Sequence, residues 1–111
     1  MKVLVTGATG FVGQALVSSL MDEKNVVTAL VREQSLLLPK NMMQVAGGDM
    51  KEWSISGSVF QNVIKQTLQD IEVVIHTAAR VHVMHNDDSL IAYRRVNRDA
   101  ILVLARLAAD A

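Results

Sequence analysis

An α/β fold, a parallel sheet with helices on both faces, is what this sequence of 111 residues predicts. Three observations predict it. Short β-branched runs alternate with longer stretches of helical periodicity, an order that implies right-handed crossovers between parallel strands. The first strand runs into a glycine-spaced turn that opens a helix. No internal repeat or low-complexity linker breaks the alternation, and the length is near the commonest domain size.

The elements follow in order. Residues 2–6, KVLVT, form a short apolar, β-branched run ending at a glycine, which reads as a buried strand. From Phe11 to about Met21, Val12, Ala15, Leu16 and Leu20 recur at helical spacing. Residues 26–31, VVTALV, are a second strand, and the loop after it holds the single proline, Pro39, where it interrupts nothing. A third, weaker strand lies in MMQVAGGD, residues 42–49, before the Gly47-Gly48 break. SVFQNVIKQTL, residues 58–68, carries Phe60, Val63, Ile64 and Leu68 on one helical face. IEVVIH, residues 71–76, is a fourth strand. From Asp88 onward, Leu90, Tyr93, Asn97, Ile101, Leu104 and Ala108 make one stripe of a long final helix.

That helix still runs at Ala111, with no glycine stop and no strand after it. The fourth strand then lacks an outer neighbour, and a bare parallel edge invites pairing with another chain. Residues 1–111 are therefore expected to be the N-terminal part of a longer protein, and association into a homo-oligomer is an open expectation.

Composition removes several function classes. Half of the residues are hydrophobic and a fifth charged, which is globular rather than disordered. Eleven basic side chains offset eleven acidic ones, so no long-range field recruits nucleic acid or an anionic membrane. Cysteine is absent, which excludes disulfides and thiolate metal sites. No apolar run approaches the ~20 residues that span a bilayer, and the stretch after Lys2 is too short for a signal peptide. A cytoplasmic location is the expectation.

The glycines carry the functional signal. Gly7, Gly10 and Gly13 stand three apart between the first strand and the first helix. Gly7 permits a tight turn off the strand, Gly10 lets a diphosphate approach the backbone, and Gly13 lets the helix pack close to the sheet. Phe11 and Val12 open that helix, whose unpaired N–H groups and positive dipole end face the phosphates. No Gly-Lys-Ser/Thr follows, which argues against a nucleoside-triphosphate loop. The pattern predicts a Rossmann-like, doubly wound sheet that binds a dinucleotide.

Strand two runs into Val31, Arg32 and Glu33, about 20 residues past the glycines, where a carboxylate would take the ribose 2′-OH of NAD. An aspartate is absent there. Arg32 can pair bidentately with a 2′-phosphate or lie on the adenine, which favours NADP over NAD. Glu33 is close enough to serve NAD instead, and a solvated Arg32–Glu33 pair is the structural alternative.

TGATGFVG, residues 6–13, resembles the Thr-Gly-x-x-Gly-x-x-Gly fingerprint of extended short-chain dehydrogenase/reductases, the NAD-dependent epimerase/dehydratase family. The likeness continues in the family's order through GGDM (47–50), VVIHTAARVHVM (73–84) and YRRVN (93–97), and so covers essentially the whole chain. HTAARVHVM most resembles nucleotide-sugar epimerases of the UDP-glucose 4-epimerase type. The resemblance implies that Asp49 takes the adenine amine while the Met50 backbone N–H reaches a ring nitrogen; alternatively, Asp49 caps the turn before KEWSIS. It implies that Thr77, Ala78 and Ala79 line the cofactor's ribose and phosphates, and that Asn97 ties the last helix to the neighbouring strand. An Asn97 of purely structural role remains equally open.

His76 reads as a packed core histidine. His82 and His85, with Asp87 and Asp88, have spacings that mixed polar loops give by chance, so no metal site is expected. Members of the resembled family use a Ser or Thr and a Tyr-x-x-x-Lys pair as the base toward a sugar hydroxyl. Here the single tyrosine, Tyr93, is followed four residues on by Asn97, a false match. No catalytic residue is therefore assigned, and the chain alone is expected to turn over nothing. The expected whole protein is an NAD(P)-dependent epimerase, dehydratase or reductase acting on a nucleotide-activated sugar. The alternative is a non-catalytic NADP-binding sensor.

Overall fold

The computed structural model describes residues 1–78, 91 and 94–111. Four strands, β1 (Lys2–Thr6), β2 (Val26–Val31), β3 (Met43–Ala46) and β4 (Val73–His76), form one parallel sheet in the order β3-β2-β1-β4. Val3 pairs with Val27 on one side and Val73 on the other, so β1 is central. Among the described residues three helices of appreciable length accompany the strands: α1 (Phe11–Asp22), α2 (Val59–Thr67) and α3 (Ala100–Asp110). The alternation read from the sequence is therefore the alternation found.

Period-two alternation in the strands divides the core into two layers. Val3, Val5, Val27, Ala29 and Val31 face α1 and bury against Val17, Leu38 and Met42. Leu4 and Leu30 face the other way, onto Trp53, Ile64, Leu68, Ala100 and Leu104 of the α2 and α3 side. Both faces of the sheet are covered, as a parallel sheet requires.

Two helical faces differ from the expectation. In α1 the buried residues are Gly13 and Val17, flanked by half-buried Leu16, Leu20 and Met21, while Val12 and Ala15 are exposed. The close approach of the helix start to the sheet turns the glycine inward and carries its neighbours out. In the last helix the inward residues are Val96, Ala100 and Leu104, with Ile101 at the exposed edge. The cause is a π-helical turn at Arg95–Asp99, which holds one extra residue per turn and shifts the stripe. Leu90 and Tyr93 of the expected stripe lie outside the described residues. The face of Phe60, Val63, Ile64 and Leu68 is as expected.

The end of α1 offers a stability test. Lys24 adopts φ +70°, and the Asn25 N–H reaches the Leu20 carbonyl at 3.1 Å while the Lys24 N–H reaches Met21 at 3.0 Å. This is a Schellman ending, whose left-handed position favours glycine. Lys24→Gly is expected to raise unfolding stability by about 0.5–1 kcal/mol in urea titration.

Candidate functional site

The chain steps from β1 to β2 to β3 in one direction and then returns to β1's other side for β4. That reversal opens a crevice at the carboxyl ends of β1 and β4, the place where ligands enter doubly wound sheets. The turn after β1 fills one wall of it. Gly7 has φ +70°, and a Cβ there would stand 2.5 Å from Thr77 Oγ1 and 2.6 Å from the Ala78 nitrogen. Gly13 is tighter: its Cβ would collide with the Gly7 carbonyl and lie 2.8 Å from Ala8 Cα. The helix start and the strand end touch through bare backbone.

Gly10 is the N-cap of α1, in extended conformation, and its N–H donates to the Gly7 carbonyl at 3.0 Å. It has no side chain to cap the helix, and the first turn holds no acidic residue. The helical ladder begins with the Gln14 N–H on the Gly10 carbonyl, 2.9 Å. The N–H groups of Phe11, Val12 and Gly13 thus have no acceptor within the helix. With the dipole behind them they make an anion-binding end. Phe11 itself is 95% exposed, and Val12 is 65% exposed.

A hydrogen-bonded latch joins the ends of β1 and β4. Thr6 Oγ1 accepts from the Thr77 N–H at 3.2 Å and the Ala78 N–H at 3.3 Å, which occupies both lone pairs. It also forms a hydrogen bond with His76 Nδ1, 2.7 Å away. Thr77 Oγ1 donates in turn to the Thr6 carbonyl at 2.6 Å. His76 is half-buried rather than packed in the core as the sequence suggested. Burial pushes its pKa below the ordinary 6.5.

Above the unfolded value His76 is neutral in both states and its contribution is fully present. As pH falls toward the lower folded value, the unfolded chain binds a proton that the native latch resists, and stability is lost. The stability difference between wild type and His76→Gln is expected to shrink between about pH 7.5 and 5.5 in urea titrations. Growth of that difference on acidification would contradict the latch.

The crevice is an open cleft of about 680 Å³. Among the expected residues it brings together Gly7, Gly10, Arg32, Asp49, Met50, Thr77 and Ala78. Phe11, Val12 and Gly13 lie at its glycine end but do not line it with side chains. Asn97 sits half-buried in the π-helical turn beside Val96, which does line the cleft. Ala79 lies outside the described residues, as do His82, His85, Asp87 and Asp88. Among the described residues no three potential metal ligands come together.

Arg32 is exposed and is not paired with Glu33, for the ion pairs among the described residues are Lys51–Asp49 and Arg98–Asp99. Asp49 does cap the short 3₁₀ turn Met50–Glu52, accepting from the Lys51 N–H at 3.1 Å, while it also lines the cleft. Sequence reasoning missed Thr9, Gln34, Ser35, Leu37 and Trp53 as lining residues. Trp53 is buried, its indole N–H donating to the Gly47 carbonyl at 2.8 Å. Only its place just after GGDM could have pointed to it.

The model of the NAD-dependent epimerase/dehydratase family matches residues 3–111. The chain is 35% identical over 112 residues to a UDP-glucose 4-epimerase of Vibrio cholerae, covering 98% of this chain and 31% of that protein. It is 32% identical over 94 residues to a 3β-hydroxysteroid dehydrogenase/Δ5→4-isomerase of Mycobacterium tuberculosis, covering 85% of this chain and 23% of that protein. Among solved structures, MoeE5 in complex with UDP-glucose and NAD superposes with a TM-score of 0.74 at 28% identity, over 99% of this chain and 33% of that one. The chain thus spans about a quarter to a third of the length of these proteins.

Proposed function

Because the chain belongs to the NAD-dependent epimerase/dehydratase family, we propose that it is the dinucleotide-binding part of an enzyme that epimerises or dehydrates a nucleotide-activated sugar. One observation carries the binding half of this reading. The Gly7–Gly13 turn leaves the amides of Phe11, Val12 and Gly13 without acceptors within the helix, at the glycine end of a cleft that Gly7 and Gly10 line with bare backbone. The residues fit the group. A nicotinamide dinucleotide would supply reversible hydride transfer at a sugar carbon.

This chain's own residues bind and orient. The glycine turn receives the diphosphate, and Thr77, Ala78 and Ala79 follow the backbone of the ligand. Asp49 and Met50 meet the adenine. Arg32, exposed and free of Glu33, meets the ribose 2′ position and favours NADP over NAD. Asn97 anchors the last helix beside the cleft. The proton-transferring residues are not among these 111, whose single tyrosine lacks a lysine four residues on. A cytoplasmic setting agrees with the absence of cysteine, and among the described residues no helix is long and apolar enough to cross a membrane. Association of copies into a homo-oligomer belongs to the same proposal.

The nucleotide-sugar reading draws its support from the Vibrio cholerae relative and from MoeE5. A second reading, an NADP-dependent reductase of the same family, is favoured by the relationship to the mycobacterial steroid dehydrogenase. Calorimetric titration of the chain with NAD and NADP tests the binding half, and heat of binding with neither would defeat it. An assay of the same chain with UDP-glucose and either dinucleotide is expected to show no turnover. Robust turnover would show that the proton-transferring groups had been misplaced.

A further inference from the structure

The segment that follows β2 reverses within a few residues. Val31 still pairs with Ala46 of β3, yet Ser35 is bonded to Gln44, two residues earlier on that strand. Residues 32–34 are therefore the apex of a fold-back whose base is closed by one side chain. Gln44 Oε1 accepts from the Ser35 N–H at 2.8 Å, and Gln44 Nε2 donates to the Ser35 carbonyl at 2.9 Å. The carboxamide replaces a missing ladder partner on both backbone groups of Ser35. The Gln34 side chain closes the other side, donating to the Gln44 carbonyl at 3.1 Å. Ser35 Oγ then accepts from the Leu37 N–H at 3.1 Å, which continues the turn.

Arg32, Gln34 and Ser35 all line the cleft. We propose that Gln44 is a positioning residue for dinucleotide selectivity: by clamping both backbone groups of Ser35 it fixes the apex that presents Arg32 to the ribose 2′ position. The inference rests on the dinucleotide reading above and deepens it. A guanidinium on an unclamped apex samples many positions and loses the geometric advantage of a bidentate phosphate contact. An unphosphorylated 2′-OH draws little from that contact, so loosening the apex weakens NADP far more than NAD.

Gln44→Met keeps the length of the side chain and removes both bonds. The test measures dissociation constants of NADP and NAD for wild type and variant, with thermal unfolding run alongside. The wild type is expected to prefer NADP, and the variant's preference to fall at least about fivefold through weaker NADP binding, with NAD within about twofold. Gln44→Glu keeps the acceptor for the Ser35 N–H but sets a carboxylate against its carbonyl, and is expected to lower the preference likewise. It serves if the methionine variant does not fold. A wild type that binds either dinucleotide while both folded variants keep its preference overturns the role of Gln44 alone. A wild type that binds neither overturns the dinucleotide reading and this inference with it.

Discussion

Gly13→Ala is expected to destabilise the fold by about 2–3 kcal/mol and to abolish dinucleotide binding. The added methyl group has no room, because it would overlap the Gly7 carbonyl and approach Ala8 Cα to 2.8 Å. Both obstacles are backbone, so neither can yield by changing rotamer. The helix must withdraw from the strand end, and with it go the three first-turn amides. Gly10→Ala separates binding from folding. At Gly10 the backbone is extended at φ −76°, and among the described residues a Cβ would meet only the Gly7 carbonyl, at 3.3 Å. Stability is expected to stay within about 1 kcal/mol of wild type, whereas dinucleotide affinity drops at least tenfold, on the order of 1.4 kcal/mol. Urea titration and calorimetry on the two variants read the two effects. Equal binding loss and equal destabilisation in both would mean that the glycines serve folding only.

Arg32→Ala is expected to weaken NADP by about 10- to 100-fold, the worth of a charge-assisted phosphate contact, while leaving NAD within about twofold. The arginine is exposed and makes no ion pair among the described residues, so its loss does little to the fold. Trp53 is the single tryptophan and lines the same cleft, so its fluorescence can follow the titration. The NADP affinity of the wild type should also fall steeply with added salt and that of the alanine variant less so. A wild type that prefers NAD, with a variant that behaves alike, would transfer the 2′ position to Glu33.

Most of the fold was legible because β1, β2 and β4 are short β-branched runs and two of the four strands end on a glycine. KVLVT stops at Gly7, and MMQVA stops at Gly47. The cleft's glycines were legible for the same reason, since their spacing requires bare backbone wherever a strand feeds a helix so directly. What escaped depends on distances across the sequence. Gln44 looks like any polar residue of a weak strand, and only the reversal after Val31 brings Ser35 to it. The Thr6–His76 bond spans 70 residues and has no local signature. The inward face of α1 was read in part: Gly13, Leu16 and Leu20 face the sheet as expected, whereas Val12 and Ala15, marked by hydrophobicity, stand exposed. The π-helical turn, which moves one residue's worth of rotation into the last helix, leaves no mark on a strict 3.6-residue pattern.

The phosphates of a bound dinucleotide are expected at the amino end of α1. Backbone amide shifts of the isotope-labelled chain, followed while NADP is added, locate them directly. The largest saturable changes should fall on Phe11, Val12 and Gly13, followed by Thr77 and Ala78, with Gly57 on the open surface unmoved. Saturable changes confined to other parts of the sheet, or none at the start of α1 at millimolar dinucleotide, would contradict that placement.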